Sequence, residues 1–448
     1  MPALRIAILA LFLPATAVAA LLFAEPLLTP AAKAEPPIKV GLPSPGFGPA
    51  TQAQASKDSM DRSAIGEALV ERQPEAWLSR QVFASALMHS WSVDGDFSAL
   101  EAAGRQLATA ADIAIDGSGP FLSTAQWAMS VHDMATARRS LAGYESTAVK
   151  LSAGERSAAI ALRGDLSFYQ GDMAAAEQNY RSASLIENGP GVLVRQAVLQ
   201  KARGKFDAAI RLLIDAARSS TQRTPQSMAN LALQAGSIEF ARGNYQIAGD
   251  WYRQAETLFP GYWKTQLYLG EAALVAGDPV TAANHFEKVA AYNSAPEAMD
   301  ALAMLNRRTG DRERSLHWAE MASREWDRRV RALPTASVAH AAEHELAFGE
   351  PSHALDMARR NLALRPYGEA RILLARALLA NGRANDADAQ LDLAIKSGWR
   401  SAILFAEQAR VKQAMRDEKA AVQARERALE LNPRVFSPEA ALIWFAHG

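Results

Sequence analysis

An all-α superhelical solenoid of stacked antiparallel helix pairs is the fold this sequence predicts, and three observations carry the expectation. The first is a phrase that recurs every thirty-odd residues: a glycine, a polar residue, then an alanine five positions after the glycine. It stands at Gly171-Asp172…Ala176, Gly204-Lys205…Ala209, Gly243-Asn244…Ala248, Gly277-Asp278…Ala282, Gly349-Glu350…Ala354 and Gly382-Arg383…Ala387, with Ser315 replacing the alanine after Gly310-Asp311. The successive spacings are 33, 39, 34, 33, 39 and 33 residues. The second is a small residue seven positions before each turn: Gly164, Ala197, Gly236, Gly270, Ala303, Ala342 and Ala375. The third is a large apolar residue nine after the turn, at Tyr180, Leu213, Tyr252, Phe286 and Leu391. A fixed period of this length with helical flanks marks an array in which each unit buries its apolar face against its neighbours.

Taken in order along the chain, residues 1–24 come first. Arg5 precedes an apolar run from Ile6 to Ala24, long for a secretory signal and about right for a membrane span. The basic residue ahead of it favours export of everything downstream. Ala32-Lys33-Ala34 is a possible cleavage site, so a retained anchor and a cleaved signal both stand as readings. Residues 25–60 hold seven prolines between Pro26 and Pro49 and read as an extended tether. Residues 61–156 read as a helical region with degenerate repeats, turning near Gly95-Asp96 and near His132-Asp133 with Ala137. Residues 157–435 hold the array itself, its last unit turning near Arg416-Asp417 with Ala421, Ala428 and Pro433 in register. Residues 436–448 form a tail. The 39-residue spacings imply longer inter-repeat segments near 145–156, 217–228 and 323–335.

Within one unit each residue type has a physical reason. Glycine adopts the left-handed backbone that ends a helix, and Asp or Asn after it caps the amides of the next one. Pro279 and Pro351 sit where a new helix tolerates proline, and Pro260, Pro366 and Pro433 end second helices. Small residues at the crossing let two helices approach to about 8–10 Å.

The register, with alanines at Ala183, Ala216, Ala255, Ala322, Ala394 and Ala428, resembles the tetratricopeptide repeat (TPR) family. Its roughly 34-residue unit has small residues at positions 8 and 20, an aromatic at 24, alanine at 27 and proline at 32. The tryptophan of position 4 is missing here. The resemblance implies a concave groove lined by the first helix of each pair, gripping a protein or peptide partner. Carried onto this register, the groove residues are Asp165, Tyr169, Asn230, Gln234, Lys264, Tyr268, Glu271, Asp300, Arg307, Arg308, His340, Glu343, Arg376 and Arg410.

Composition narrows the function. The chain has 448 residues, 48 basic against 48 acidic, so electrostatic capture of nucleic acid is not expected. Cysteine is absent, which removes disulfides, thiolate metal sites and thiol catalysis. One catalytic pattern occurs: His340-Ala-Ala-Glu343-His344 matches H-x-x-E-H, with both imidazoles on one helix face. It falls inside a first helix that the array already explains, so no cofactor or metal is expected. P-loop, nucleophile-elbow and dinucleotide motifs are missing.

The expectation is therefore a non-enzymatic interaction scaffold of the bacterial envelope, its groove facing the periplasm and organising an assembly, export or maturation complex. It would be held to the inner membrane by residues 6–24, or be periplasmic if cleaved. A soluble periplasmic chaperone or carrier of extended polypeptide is the alternative, and a metallohydrolase using His340, Glu343 and His344 a remote one.

Overall fold

The computed structural model describes residues 38–439, apart from Asp116 and residues 148–150. Every helix falls in one compact unit that begins at Val40. Among the described residues α1 (Gln52–Arg72) comes first and ten pairs follow. They are α2 (Trp77–Asp94) with α3 (Phe97–Ile113), α4 (Phe121–Ser130) with α5 (Met134–Glu145), and α6 (Ala153–Tyr169) with α7 (Met173–Ile186). Next come α8 (Pro190–Ala202) with α9 (Phe206–Ser219), α10 (Pro225–Ala241) with α11 (Tyr245–Leu258), and α12 (Trp263–Val275) with α13 (Pro279–Asn293). The last four are α14 (Pro296–Thr309) with α15 (Arg312–Ala332), α16 (Pro334–Phe348) with α17 (Pro351–Leu364), α18 (Gly368–Ala380) with α19 (Ala384–Lys396), and α20 (Ala402–Ala414) with α21 (Glu418–Leu431). No strand occurs among the described residues, and the fold is an all-α solenoid.

The turns form as the residue types dictate. Gly171 and Gly243 take φ of 80° and 84°, which only glycine reaches cheaply. Where glycine is absent, His132 and Arg416 adopt the left-handed backbone themselves, at φ 56° and 62°. Gly349 departs from the expectation: α16 runs straight to Phe348 and the glycine leaves it at φ −111°. Asp172, Asp278, Asp311 and Asp417 each accept from a backbone amide of the following helix, contributing about 1 kcal/mol apiece.

Packing inside a pair follows a size rule. Where the first helix carries glycine the second presents an aromatic ring: a methyl at Gly164, Gly236 or Gly270 would overlap the ring of Tyr180, Tyr252 or Phe286. Where it carries Ala197 or Ala375 the corresponding position is leucine, Leu213 or Leu391, whereas opposite Ala303 and Ala342 it is alanine, Ala319 and Ala358. In the glycine–aromatic and alanine–leucine pairs the summed volume at the crossing is thus kept, as close packing requires.

Two expected boundaries move. The tether drawn over 25–60 ends earlier, because Thr51 caps the amide of Gln54 and α1 starts at Gln52, burying Ala55 and Ser59. The segment 323–335 is helix to Ala332, so the long spacing there comes from a 21-residue α15. Residues 6–24, on which the membrane expectation rests, lie outside the described residues. Among those described, no helix is long and apolar enough to cross a membrane.

The first helices of successive pairs touch one another (α4 with α6, α6 with α8, α16 with α18, α18 with α20), and the second helices do so far less. The array therefore curves with its first helices inside. It curves tightly enough that the turn within each of the first five pairs meets the loop following the pair five further on. The carbonyls at the end of a helix have no partner within it, and here four first helices are completed by donors from the overlying coil. Trp263 Nε1 reaches Val93 O (3.0 Å) and Asn293 Nδ2 reaches Asp94 O (3.1 Å). Thr335 Oγ1 reaches Val131 O (2.6 Å), the Arg400 amide reaches Ala202 O (2.8 Å), and Asn432 Nδ2 reaches Ala241 O (3.2 Å). Apolar contacts close the same seam: Phe168, Met173 and Leu199 share one core with Tyr367, Trp399 and Leu391.

Candidate functional site

The inner face of this coil is the candidate site. Its first helices are stitched by polar contacts from one pair to the next. Asp165 on α6 holds Arg195 on α8 (2.8 Å) and also accepts from Tyr180 of its own pair (2.9 Å). Asp300 on α14 accepts from the Trp326 ring nitrogen (2.8 Å) and pairs with His344 on α16 (2.6 Å). Arg376 on α18 donates to Glu407 on α20 (2.8 Å), which also holds Arg410. Burial pushes the Asp165 carboxyl up despite the Arg195 charge, and does the same to Asp300 despite His344. These carboxylates hold the coil together instead of facing a ligand.

The fourteen expected groove residues separate accordingly. Asp300 and Glu271 are buried in the packing, against the expectation of side chains open to a partner, because each fills the contact between neighbouring helices. Arg307, Arg308 and Arg376 are engaged too: Arg307 donates to Ala347 O (2.8 Å) over the Phe348 ring, and Arg308 to Pro438 O (2.6 Å). Asn230 accepts from the Tyr262 hydroxyl (3.1 Å), Tyr268 stacks on Tyr252, and Lys264 lies over the rings of Trp91 and Trp263. Asn230, Gln234, Lys264, Tyr268, Asp165, Tyr169, His340, Glu343 and Arg376 are all part-exposed, and Arg410 is exposed.

The H-x-x-E-H segment resolves into two separate roles. His340 stacks on Trp326 and bonds Glu343 (3.1 Å), whereas His344 is buried against Asp300. Burial alone would lower His340, but the hydrogen bond and charge of Glu343 prevail and raise it. Although protein surrounds His340 closely, 41% of its side chain remains open. Among the described residues no group of three or more His, Asp or Glu side chains is arranged to hold a metal.

A second set of interior residues gathers where the two coils meet. Tyr169, at the end of α6, packs edge-on against His132 (5.2 Å) and Tyr367 (5.1 Å). Arg365 lies over Tyr367, whose hydroxyl donates to Glu369 (2.9 Å). Burial raises the Tyr169 phenol to about 12 and holds His132 well below the ordinary imidazole value, helped by the charges of Arg365 and His340. Of these residues the sequence reading reached only Tyr169. The signal that could have found the others is the aromatic content of inter-repeat loops: Tyr262, Tyr367 and Trp399 are nine-tenths buried or more at positions an open solenoid would leave wet.

Two clefts between adjacent pairs, of about 490 and 470 Å³, lie apart from this set. The larger is lined by Trp263, Gln266, His285 and Tyr292, the smaller by Arg138, Glu145, Arg163 and Asn179.

No family model matches the chain, and no curated protein is similar to it. Solved structures that it resembles include a tetratricopeptide repeat protein of Parabacteroides merdae, at 14% identity over 57% of this chain and 98% of that one, TM-score 0.35. A thermophilic tetratricopeptide repeat protein of Thermus thermophilus is 22% identical over 45% of this chain and 99% of that one, TM-score 0.32. Yeast Tom70 is 13% identical over 87% of this chain and 95% of that one, TM-score 0.36.

Proposed function

We propose that this array of tetratricopeptide-type helix pairs is a non-enzymatic scaffold that holds a polypeptide partner along the inner face of its coil. The observation that carries the reading is the state of that face. Part-exposed polar and aromatic side chains (Asn230, Gln234, Lys264, Tyr268, His340) line it on α10, α12 and α16, helices already packed against their neighbours. Contacts offered by rigid elements cost little ordering entropy on binding. An extended segment could bond Asn230 and Gln234 on one helix and then stack on the rings beyond.

A photoreactive residue at Gln234 or Lys264 is expected to trap the partner, whereas one at Val422, exposed on a second helix, is not. Adducts from Val422 alone would place the partner on the outer surface and end this reading. The envelope location remains part of the proposal and rests on the apolar run Ile6–Ala24. Membrane fractionation with sequencing of the mature N-terminus tests it: full-length chain in the inner membrane supports an anchored scaffold, and a start near Glu35 supports the released carrier. Chain found only in the cytosol would remove both.

A further inference from the structure

The larger of the two clefts, about 490 Å³, has the size of a small-ligand site, roughly 300–1,000 Å³. It is lined by residues of α11, α12 and α13, and its wall divides into an apolar and a polar half. Trp263, Leu269, Val289 and Tyr292 make up the apolar half. In the polar half three side chains form a relay that fixes where the protons stand. Glu256 accepts from the Gly261 amide and from Gln266 Nε2 (both 3.0 Å). That turns Gln266 Oε1 toward His285, whose Nδ1 lies 2.9 Å away and is the donor. Burial, with the Lys288 charge one turn along α13, holds His285 below the ordinary imidazole value, so the ring is neutral at pH 7. A neutral ring carries one N–H, and the bond to Gln266 uses it. Nε2 is therefore an acceptor, on a ring that lines the cleft.

The aromatic walls are held by the first coil. Trp263 Nε1 donates to Val93 O (3.0 Å), and the Tyr292 hydroxyl donates to Asp94 Oδ1 (2.7 Å) while accepting from Gln52 Nε2 (2.9 Å). Both rings thus take their positions from α1 and from the end of α2, where the seam between the coils begins. The hydrogen-bonding demand then selects the ligand. A group that meets both His285 Nε2 and the Lys288 ammonium must donate to the one and accept from the other. An indole or an ammonium only donates and a carboxylate only accepts, whereas a hydroxyl does both. Aromatic walls favour a flat ring as its carrier.

We propose that this cleft binds a phenolic ring, its hydroxyl donating to His285 and accepting from Lys288, and that occupancy tightens the seam between α2 and the sixth pair. Ligand and closure stabilise one another, because the walls are pinned only while Val93 and Asp94 hold them. The polar half belongs largely to the second helices α11 and α13, so the site does not depend on what polypeptide lies along the inner face.

Calorimetric titration of the full chain with N-acetyl-tyrosinamide and with N-acetyl-phenylalaninamide, which lacks only the hydroxyl, tests the site. Amide hydrogen exchange is the second readout. The tyrosine probe should bind saturably at one site, about fivefold tighter than the phenylalanine probe, the worth of one hydrogen bond. Exchange at residues 93–96 should slow when it is bound. His285→Phe keeps a ring and deletes the acceptor, so the two probes should then bind alike. His353→Phe, exposed on α17, should leave the preference as it is. If His285→Phe melts early, Lys288→Met decides: Lys288 is exposed, and its loss should narrow the preference as well. p-Cresol that binds as tightly as the tyrosine probe assigns the cleft to a free phenol, and weaker p-cresol assigns it to a tyrosine side chain of a polypeptide. Lack of saturable binding of either phenolic probe overturns the proposal. Equal affinity for the tyrosine and phenylalanine probes in the unaltered chain does so too, as does a preference that survives both substitutions. Binding that leaves residues 93–96 exchanging as before overturns the link to the seam.

Discussion

A single ring against a missing methyl sets how closely two helices of a pair approach. At Gly236 the Tyr252 ring occupies the space a side chain would need, so Gly236→Ala should overpack the crossing. Overpacking costs about 1–3 kcal/mol and the gain in helix propensity returns about 1. A net loss of stability is expected in denaturant titration. Adding Tyr252→Leu recreates the Ala197–Leu213 combination of another pair, and the double variant should be more stable than the sum of the single effects by about 1 kcal/mol or more. Strict additivity would mean the size rule is coincidental. His132 carries a different residue-scale prediction. Its folded pKa is depressed, so its contribution to stability is complete above the ordinary value of 6.5 and is lost as pH falls through the folded pKa. His340 is raised and runs the other way, its contribution present in acid and lost as pH climbs. His132→Asn, which tolerates the left-handed backbone, should therefore flatten the acid limb of the stability–pH curve and leave the limb above pH 7 unmoved. The Gly236 crossing could be read from the sequence because both partners lie within one repeat. The environment of His132 could not, since Tyr169 meets it from the third pair and the charges of His340 and Arg365 bear on it from the eighth pair and the loop that ends it.

Helices in this chain are completed by partners far along the sequence. The last carbonyls of α4 and α10 are met by Thr335 and Asn432, roughly two hundred residues on. Thr335→Val keeps the shape and deletes the donor, leaving Val131 O unmet, which should cost about 1–3 kcal/mol. The effect should appear in hydrogen exchange as faster opening of the α4–α5 turn, next to the carbonyl that lost its partner. An α4–α5 turn that exchanges as before would mean water replaces the threonine at no cost. The pair register has its own test. Ala248 is fully buried at the α10–α11 crossing whereas Ile247 is 37% exposed. Ala248→Leu should cost about 1–3 kcal/mol and Ile247→Leu under about 1.5. Elements were the most legible level of the sequence, because turn glycine, capping aspartate and small–large pairs act within one unit. The exceptions have local causes: α15 gains length in a run of Glu–Arg contacts such as Glu325 with Arg328 and Arg329, and Gly349 follows a helix that has no need of a left-handed exit.

At the scale of the whole coil, contacts between pairs five apart change how stability is shared. In an open solenoid each repeat contacts only its neighbours, and perturbation travels along the chain from unit to unit. Here Trp399, in the loop between α19 and α20, packs on Phe168 at 5.8 Å and shares a core with Met173, both from the third pair. That closure was hidden from the repeat pattern, since a period specifies neighbours and says nothing of how tightly the array winds. The interior polar set inherited the same blindness: positions on first helices were readable, but which of them would be used up in stitching Asp165 to Arg195 or Arg376 to Glu407 depended on the curvature. Trp399→Ala separates the two regimes. Removing a buried tryptophan costs about 3–5 kcal/mol. In a joined coil the loss should fall on both sides of the seam, so hydrogen exchange should quicken in the α6–α7 turn about as much as in α18 and α19. Pairs away from the contact, such as α12 with α13, should keep their protection. Faster exchange confined to α18 through α21 would show that the two coils touch without sharing stability, and that the array behaves energetically as an open one.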